Sequence, residues 1–181
     1  MKRLALLLIG MLATACATTA PDSDPNTTPT AAPATADLDE RVNTEYERAL
    51  NAPGADREAL EASQIEWQTQ REACAEEDDP ARCERESSMT RLVELQIADP
   101  ATAAPIDARY TCPDDKELTA QYYNDIDPQA GVFTWDGEQM ILFIEMSGSG
   151  ARYGRDGVSF WEHQGEATFD YHGDTVVCEV A

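Results

Sequence analysis

Histidine is scarce in this 181-residue chain: His163 and His172 are the only two. The five cysteines show no CxxC spacing, so no zinc-ligand pattern is present. Basic residues number 13 against 35 acidic ones, a formal charge of −22. That balance excludes nucleic acid or anionic lipid as a partner held by the general field of the protein. Nothing resembling a catalytic motif is present. Ser149 sits in Ser-Gly-Ser-Gly rather than in a G-x-S-x-G elbow, and no phosphate-cradling loop ends in Gly-Lys-Ser/Thr. Carboxylates are so abundant that pairs of them carry no information. The reading is therefore of a protein that is not an enzyme, with no cofactor and no metal. An apolar run long enough to span a bilayer is also missing, since Leu4 to Ala13 is too short.

What that short run does fit is a secretory leader: Met1-Lys2-Arg3 is positive, the apolar stretch follows, and Thr14-Ala15-Cys16 brings small residues up to a cysteine. This pattern resembles the bacterial lipobox, with Ala13 where leucine is commonest. The resemblance implies cleavage after residue 15 and acylation of Cys16, leaving the membrane as one partner. With Lys2 and Arg3 gone, 11 basic residues face 35 acidic ones and the charge becomes −24. Ala17 in place of aspartate points to the outer membrane, facing the periplasm. Residues 16–36 are nearly all Thr, Ala, Pro, Asp, Ser and Asn and read as a disordered tether.

Removing Cys16 leaves an even set, Cys74, Cys83, Cys112 and Cys178. In an oxidising compartment this argues for disulfides. Three pairings are open, and position favours Cys74–Cys83 and Cys112–Cys178. Residues 37–99 carry helical periodicity in three segments. Asp37 and Glu40 have capping-box spacing ahead of Leu38, Val42, Tyr46 and Leu50. Pro53-Gly54 ends this helix, and a second starts at Asp56 with Leu60, Trp67, Arg71 and Cys74 on one side. Asp79-Pro80 caps a third, through Cys83, Leu92 and Leu95. Trp67 and Arg71 are read as packing residues.

Residues 100–106 form a short linker, and from residue 107 the period becomes two. Strands are expected at 109–112, 118–123, 131–135, 140–146, 152–153, 158–161, 167–171 and 175–180, separated by turn signals such as Asp136-Gly137. Eight short strands predict a closed antiparallel barrel, with Trp135, Phe143 and Phe160 filling it. The fold class is therefore α + β: a small disulfide-stapled helical domain, then an eight-stranded antiparallel β-barrel over 107–181.

One segment stands apart: Ser147-Gly148-Ser149-Gly150-Ala151-Arg152-Tyr153 interrupts an apolar strand with small, flexible and hydroxyl-bearing residues. Together with Tyr110-Thr111-Cys112, Phe160-Trp161, Glu166-Ala167 and Cys178, it resembles the membrane-bound and periplasmic inhibitors of c-type lysozyme, MliC and PliC. The resemblance covers the β-domain. It implies a one-disulfide barrel whose loop enters the lysozyme cleft, where the serine matched by Ser149 hydrogen-bonds the catalytic carboxylates. A lysine on the neighbouring strand assists in that family. Here His163 stands in its place and Gln164 in that of the following glycine. A neutral imidazole loses a charge-assisted bond worth roughly 1.5–3 kcal/mol, whereas target carboxylates would favour its protonation. The expectation is weaker or more pH-dependent inhibition, with Arg152 as a substitute cation.

In the helical half, Trp67-x-x-x-Arg71-x-x-Cys74, Cys83 and Thr90-Arg91-x-x-x-Leu95 resemble the N-terminal domain of LprI-type lysozyme inhibitors. The resemblances imply a lysozyme-inhibiting envelope lipoprotein. Two alternatives are a module holding an apolar or cell-wall ligand and a structural envelope protein with a degenerate loop. The sequence is silent on oligomeric state.

Overall fold

The computed structural model describes residues 35–181; the leader, Cys16 and the tether as far as residue 34 lie outside the described residues. Three helices come first, α1 (Thr35–Leu50), α2 (Arg57–Ala73) and α3 (Pro80–Ile97). The capping chemistry works at two of the three starts. Asp56 accepts from the Ala59 amide at 3.0 Å, and Asp79 from the Arg82 amide at 3.1 Å, with Pro80 in the first turn. Asp37 is not a cap, because α1 already runs from Thr35. It lies inside the first turn, where a carboxylate still favours the positive end of the helix.

Leu38 and Val42, four residues apart on α1, are fully buried against Leu92 and Leu95 of α3, with Tyr46, Leu60 and Trp67 closing the cluster. Trp67 donates its indole N–H to the Ser87 carbonyl at 3.1 Å, and Arg71 pairs with Asp39 at 2.8 Å. Both residues thus knit helices together. The Cys74–Cys83 disulfide staples the α2–α3 junction.

The second half is a closed barrel of consecutive antiparallel strands: β1 (Ile106–Thr111), β2 (Glu117–Tyr123), β3 (Ala130–Trp135), β4 (Glu138–Glu145), β5 (Ala151–Arg155), β6 (Val158–His163), β7 (Glu166–Tyr171) and β8 (Asp174–Val180). Asp136-Gly137, Gln164-Gly165 and His172-Gly173 each have both central residues at positive φ. This is the hairpin geometry whose twist matches the strands. Tyr110 faces Val180 across the β1–β8 seam, and Cys112–Cys178 bridges the strands beside it.

Phe133, Phe160 and Phe169 are fully buried inside the barrel, with Leu118, Leu142 and Tyr153 around them. Phe160 is 4.8 Å from Phe133, centroid to centroid. Trp135 also belongs to this core, but Phe143 does not. It alternates with Leu142 and so points outward, where Ala130, Val132, Ile141 and Ile126 pack with Val93 of α3. The β3–β4 hairpin is covered on both faces, which is why its sequence is a continuous apolar run.

Candidate functional site

The Ser147–Gly150 loop leaves β4 where the strand loses its cover. Ile144 is 40 % exposed and Met146 85 %. The loop is tied down from within and from one side. The Ser147 hydroxyl donates to the Ser149 carbonyl and accepts from the Ser149 amide at 3.3 Å. The Trp161 indole N–H, on β6, donates to the same Ser149 carbonyl at 3.1 Å. The Ser147 side chain is thus spent on the turn, whereas the Ser149 hydroxyl has no hydrogen-bond partner among the described residues.

The two loop glycines differ. Gly150 has φ +70°, and a Cβ there would lie 2.0 Å from the Glu162 carbonyl oxygen. Only glycine lets the loop lie against β6. At Gly148 an added Cβ meets nothing within 4 Å and the backbone is not left-handed. The fold itself makes no demand for glycine there.

Of the remaining expected residues, His163 ends β6 with its ring stacked on Trp161, centroids 5.7 Å apart and planes 7° from parallel. Trp161 therefore touches both the loop and His163. Arg152 pairs with Glu145 at 2.8 Å across β4–β5, on the outer surface. Ala151 opens β5 and is half-buried. Tyr153 is 3 % exposed and lies in the core, where its ring packs on Tyr122 at 5.2 Å. The signature thus contains an exposed tip and an internal anchor. Gln164 sits at φ +56°, a conformation glycine would adopt without strain.

Beneath the loop the barrel encloses a small polar group. The Tyr110 and Tyr122 hydroxyls are 2.9 Å apart. Burial pushes the phenols of Tyr110, Tyr122 and Tyr153 above their ordinary range; the hydrogen bond shared with Tyr110 adds to the effect on Tyr122. The packed interior offers no support for a ligand held inside the barrel. An open cleft of about 900 Å³ lies instead between α2, α3 and the β5–β6 turn, at the barrel end opposite the loop. Its wall includes Arg91, which is 5 % exposed and donates to Gln64 at 2.9 Å and Ser63 at 3.0 Å. No group of residues suited to a metal ion occurs among the described residues, and no described helix is long and apolar enough to cross a membrane.

Sequence reasoning quoted Trp161 without giving it a contact and passed over Met146. The signal for Met146 was a large apolar residue abutting a polar loop. The Trp161–Ser149 bond had no signal, because it joins positions 12 apart through strand pairing.

Residues 16–107 match the family described as lysozyme inhibitor LprI, and residues 110–177 match the membrane-bound lysozyme-inhibitor of c-type lysozyme, MliC. Lipoprotein LprI of Mycobacterium tuberculosis is 52 % identical over 145 residues, covering 80 % of this chain and 73 % of that protein. The membrane-bound lysozyme inhibitor of C-type lysozyme from Cupriavidus necator is 38 % identical over 60 residues, 33 % of this chain and 48 % of its own. A crystal structure of Pseudomonas aeruginosa MliC in complex with hen egg white lysozyme covers 46 % of this chain and 91 % of its own, at 28 % identity and a TM-score of 0.38. With an LprI match over its first half, an MliC match over its second, and a relative aligned across most of its length, the chain belongs to the LprI family of lysozyme inhibitors, with a barrel of the MliC family at its C-terminus.

Proposed function

We propose that this protein inhibits a c-type lysozyme by inserting the Ser147–Gly150 loop into the active-site cleft. The observation that carries the reading is the division of labour between the two serines. Ser147 spends its hydroxyl on the turn, and Ser149 keeps its own for a partner. Glycosidases of this kind work with one protonated and one ionised carboxyl flanking the scissile bond. A hydroxyl both donates and accepts, so Ser149 can bond either form. Gly148 gives the cleft wall close access to the loop backbone. The inhibitor supplies no chemistry of its own; it occupies the space of the sugar and disturbs the acid–base pair.

His163, beside the loop and stacked on Trp161, supplies the second polar contact in place of lysine. Acylated Cys16 anchors the chain to the outer membrane, residues 16–36 act as tether, and residues 37–99 and 107–181 are the working domains. The charge of −24 left once Lys2 and Arg3 are removed, 11 basic residues against 35 acidic, favours encounter with a basic enzyme and makes it salt-sensitive.

The test is clearance of cell-wall turbidity by c-type lysozyme in the presence of the full chain. Inhibition at micromolar protein is expected. Ser149→Ala should weaken it about tenfold to hundredfold, the cost of one hydrogen bond to a charged group. Absence of inhibition in the wild type overturns the function; undiminished inhibition by Ser149→Ala overturns the loop mechanism. His163→Lys should tighten inhibition, because an ammonium supplies the charge-assisted bond to a target carboxylate that the lysine of the family makes.

A further inference from the structure

The chain between β2 and β3, residues 124–129, is held by the helical half of the molecule. Asp127 is the focus. Arg41 of α1 donates to the Asp127 carbonyl at 2.5 Å and to its carboxylate at 2.8 Å. Gln96 of α3 donates to the same carbonyl at 2.9 Å and accepts from the Asp127 amide at 3.2 Å. Between these contacts and the strand, Ile126 is 7 % exposed and packs in the cluster with Val93 of α3.

The barrel closes its own sheet through its eight strands, so ring closure makes no use of this clamp. Antiparallel alternation places the 124–129 connection at the same barrel end as the Ser147–Gly150 loop. The two are neighbours: the Ile144 amide donates to the Gln129 carbonyl at 3.0 Å, two residues before Met146. Strand spacing puts such neighbours roughly 5 Å apart. At the opposite end α3 is fixed again, by Arg82 to the Asp156 carboxylate at 2.6 Å and by the Asp156 amide donating to Glu86 at 3.1 Å. The helix therefore lies along the barrel, attached at both ends, with its C-terminal turn at the inhibitory end.

We infer that residues 124–129 form a second contact element for the basic target, and that Arg41 and Gln96 are positioning residues through which the helical half contributes to inhibition. This rests on the lysozyme reading above. Asp127 keeps its side chain 85 % exposed despite its four hydrogen bonds, and Asn124 and Asp125 point outward beside it. The element thus presents carboxylates next to the inserting loop, complementary to the cationic rim of a basic enzyme. Held in place beforehand, it binds without an ordering cost.

The experiment compares the full-length wild type, Arg41→Ala/Gln96→Ala and Asp125→Lys, by inhibition constant and by amide hydrogen exchange. In the double variant the amides of Ile126, Asp127 and Gln129 should exchange faster, the β6–β7 amides should not, and inhibition should weaken about tenfold. Arg41→Lys should recover part of the loss. Faster exchange with unchanged inhibition overturns the inference, as does unchanged exchange. If the double variant fails to fold, Asp125→Lys decides: it lies at an exposed position and should weaken inhibition with an unaltered melting temperature, and unaltered inhibition overturns the contact. Failure of the wild type to inhibit sinks the lysozyme reading and this inference with it. Failure of these variants alone leaves that reading standing.

Discussion

Substituting alanine at each loop glycine in turn separates what the fold needs from what a partner needs. At Gly150 a methyl group would sit 2.0 Å from the Glu162 carbonyl oxygen and 3.2 Å from the His163 Cβ, on a backbone at φ +70°. The left-handed conformation costs about 1–2 kcal/mol for a residue bearing a Cβ. The overlap is with main chain, which no rotamer change relieves, and adds a penalty of roughly 1–3 kcal/mol. The sum, about 2–5 kcal/mol, lowers the melting temperature of a chain this size by roughly 4–20 °C. Part of the strain can instead be released by lifting the loop off β6, which breaks the Trp161–Ser149 bond and lowers inhibition as well. Gly148→Ala should change stability by less than about 0.5 kcal/mol, as at an open surface site, yet weaken inhibition because the methyl group stands where the target approaches. Thermal melts and turbidity assays on the two variants test the whole argument. A Gly150→Ala protein that melts like wild type refutes the steric reasoning. A Gly148→Ala protein that inhibits like wild type refutes the assignment of that glycine to the partner.

Two further outcomes follow from the barrel. The folded state holds Tyr110, Tyr122 and Tyr153 neutral by burial, while the unfolded chain ionises near pH 10. Their contribution to stability is therefore intact below about pH 10 and lost as pH rises beyond it. In an ultraviolet titration these phenols should ionise only as the near-ultraviolet circular dichroism disappears; ionisation ahead of that loss refutes the burial argument. The two disulfides should also differ in worth. Cys112–Cys178 closes a span of 66 residues and Cys74–Cys83 one of 9. Chain-entropy arithmetic gives about 4 kcal/mol for the first and about 2–3 kcal/mol for the second. Urea denaturation of the paired Cys→Ser variants measures both, and the reverse order would show that strain or residual structure outweighs loop closure.

Local chemistry in the sequence was enough to determine much of this molecule. Asp56, and Asp79 followed by Pro80, mark two helix starts because capping is a matter of adjacent atoms. Period-two patterning and Gly-bearing turns locate every strand of the barrel, since alternation and positive φ are properties of a few consecutive residues. The Ser147–Tyr153 segment was conspicuous for the same reason.

What lay beyond reach depended on neighbours distant in the chain. Phe143 reads like any core aromatic, and only the docking of α3 against β3–β4 puts it outside the barrel. Tyr153 belongs to the signature, yet its alternation along β5 turns it inward. Ser147 and Ser149 are chemically alike in sequence; a turn hydrogen bond and an indole from β6 give them different roles. The clamp on Asp127 joins residues 86 and 31 positions away, through ordinary surface residue types that carry no pattern. The sequence thus determined the elements and the loop, because these follow from short-range stereochemistry. Tertiary structure alone decided which hydroxyl is free and which loop stands beside it, because both depend on strand register and helix docking.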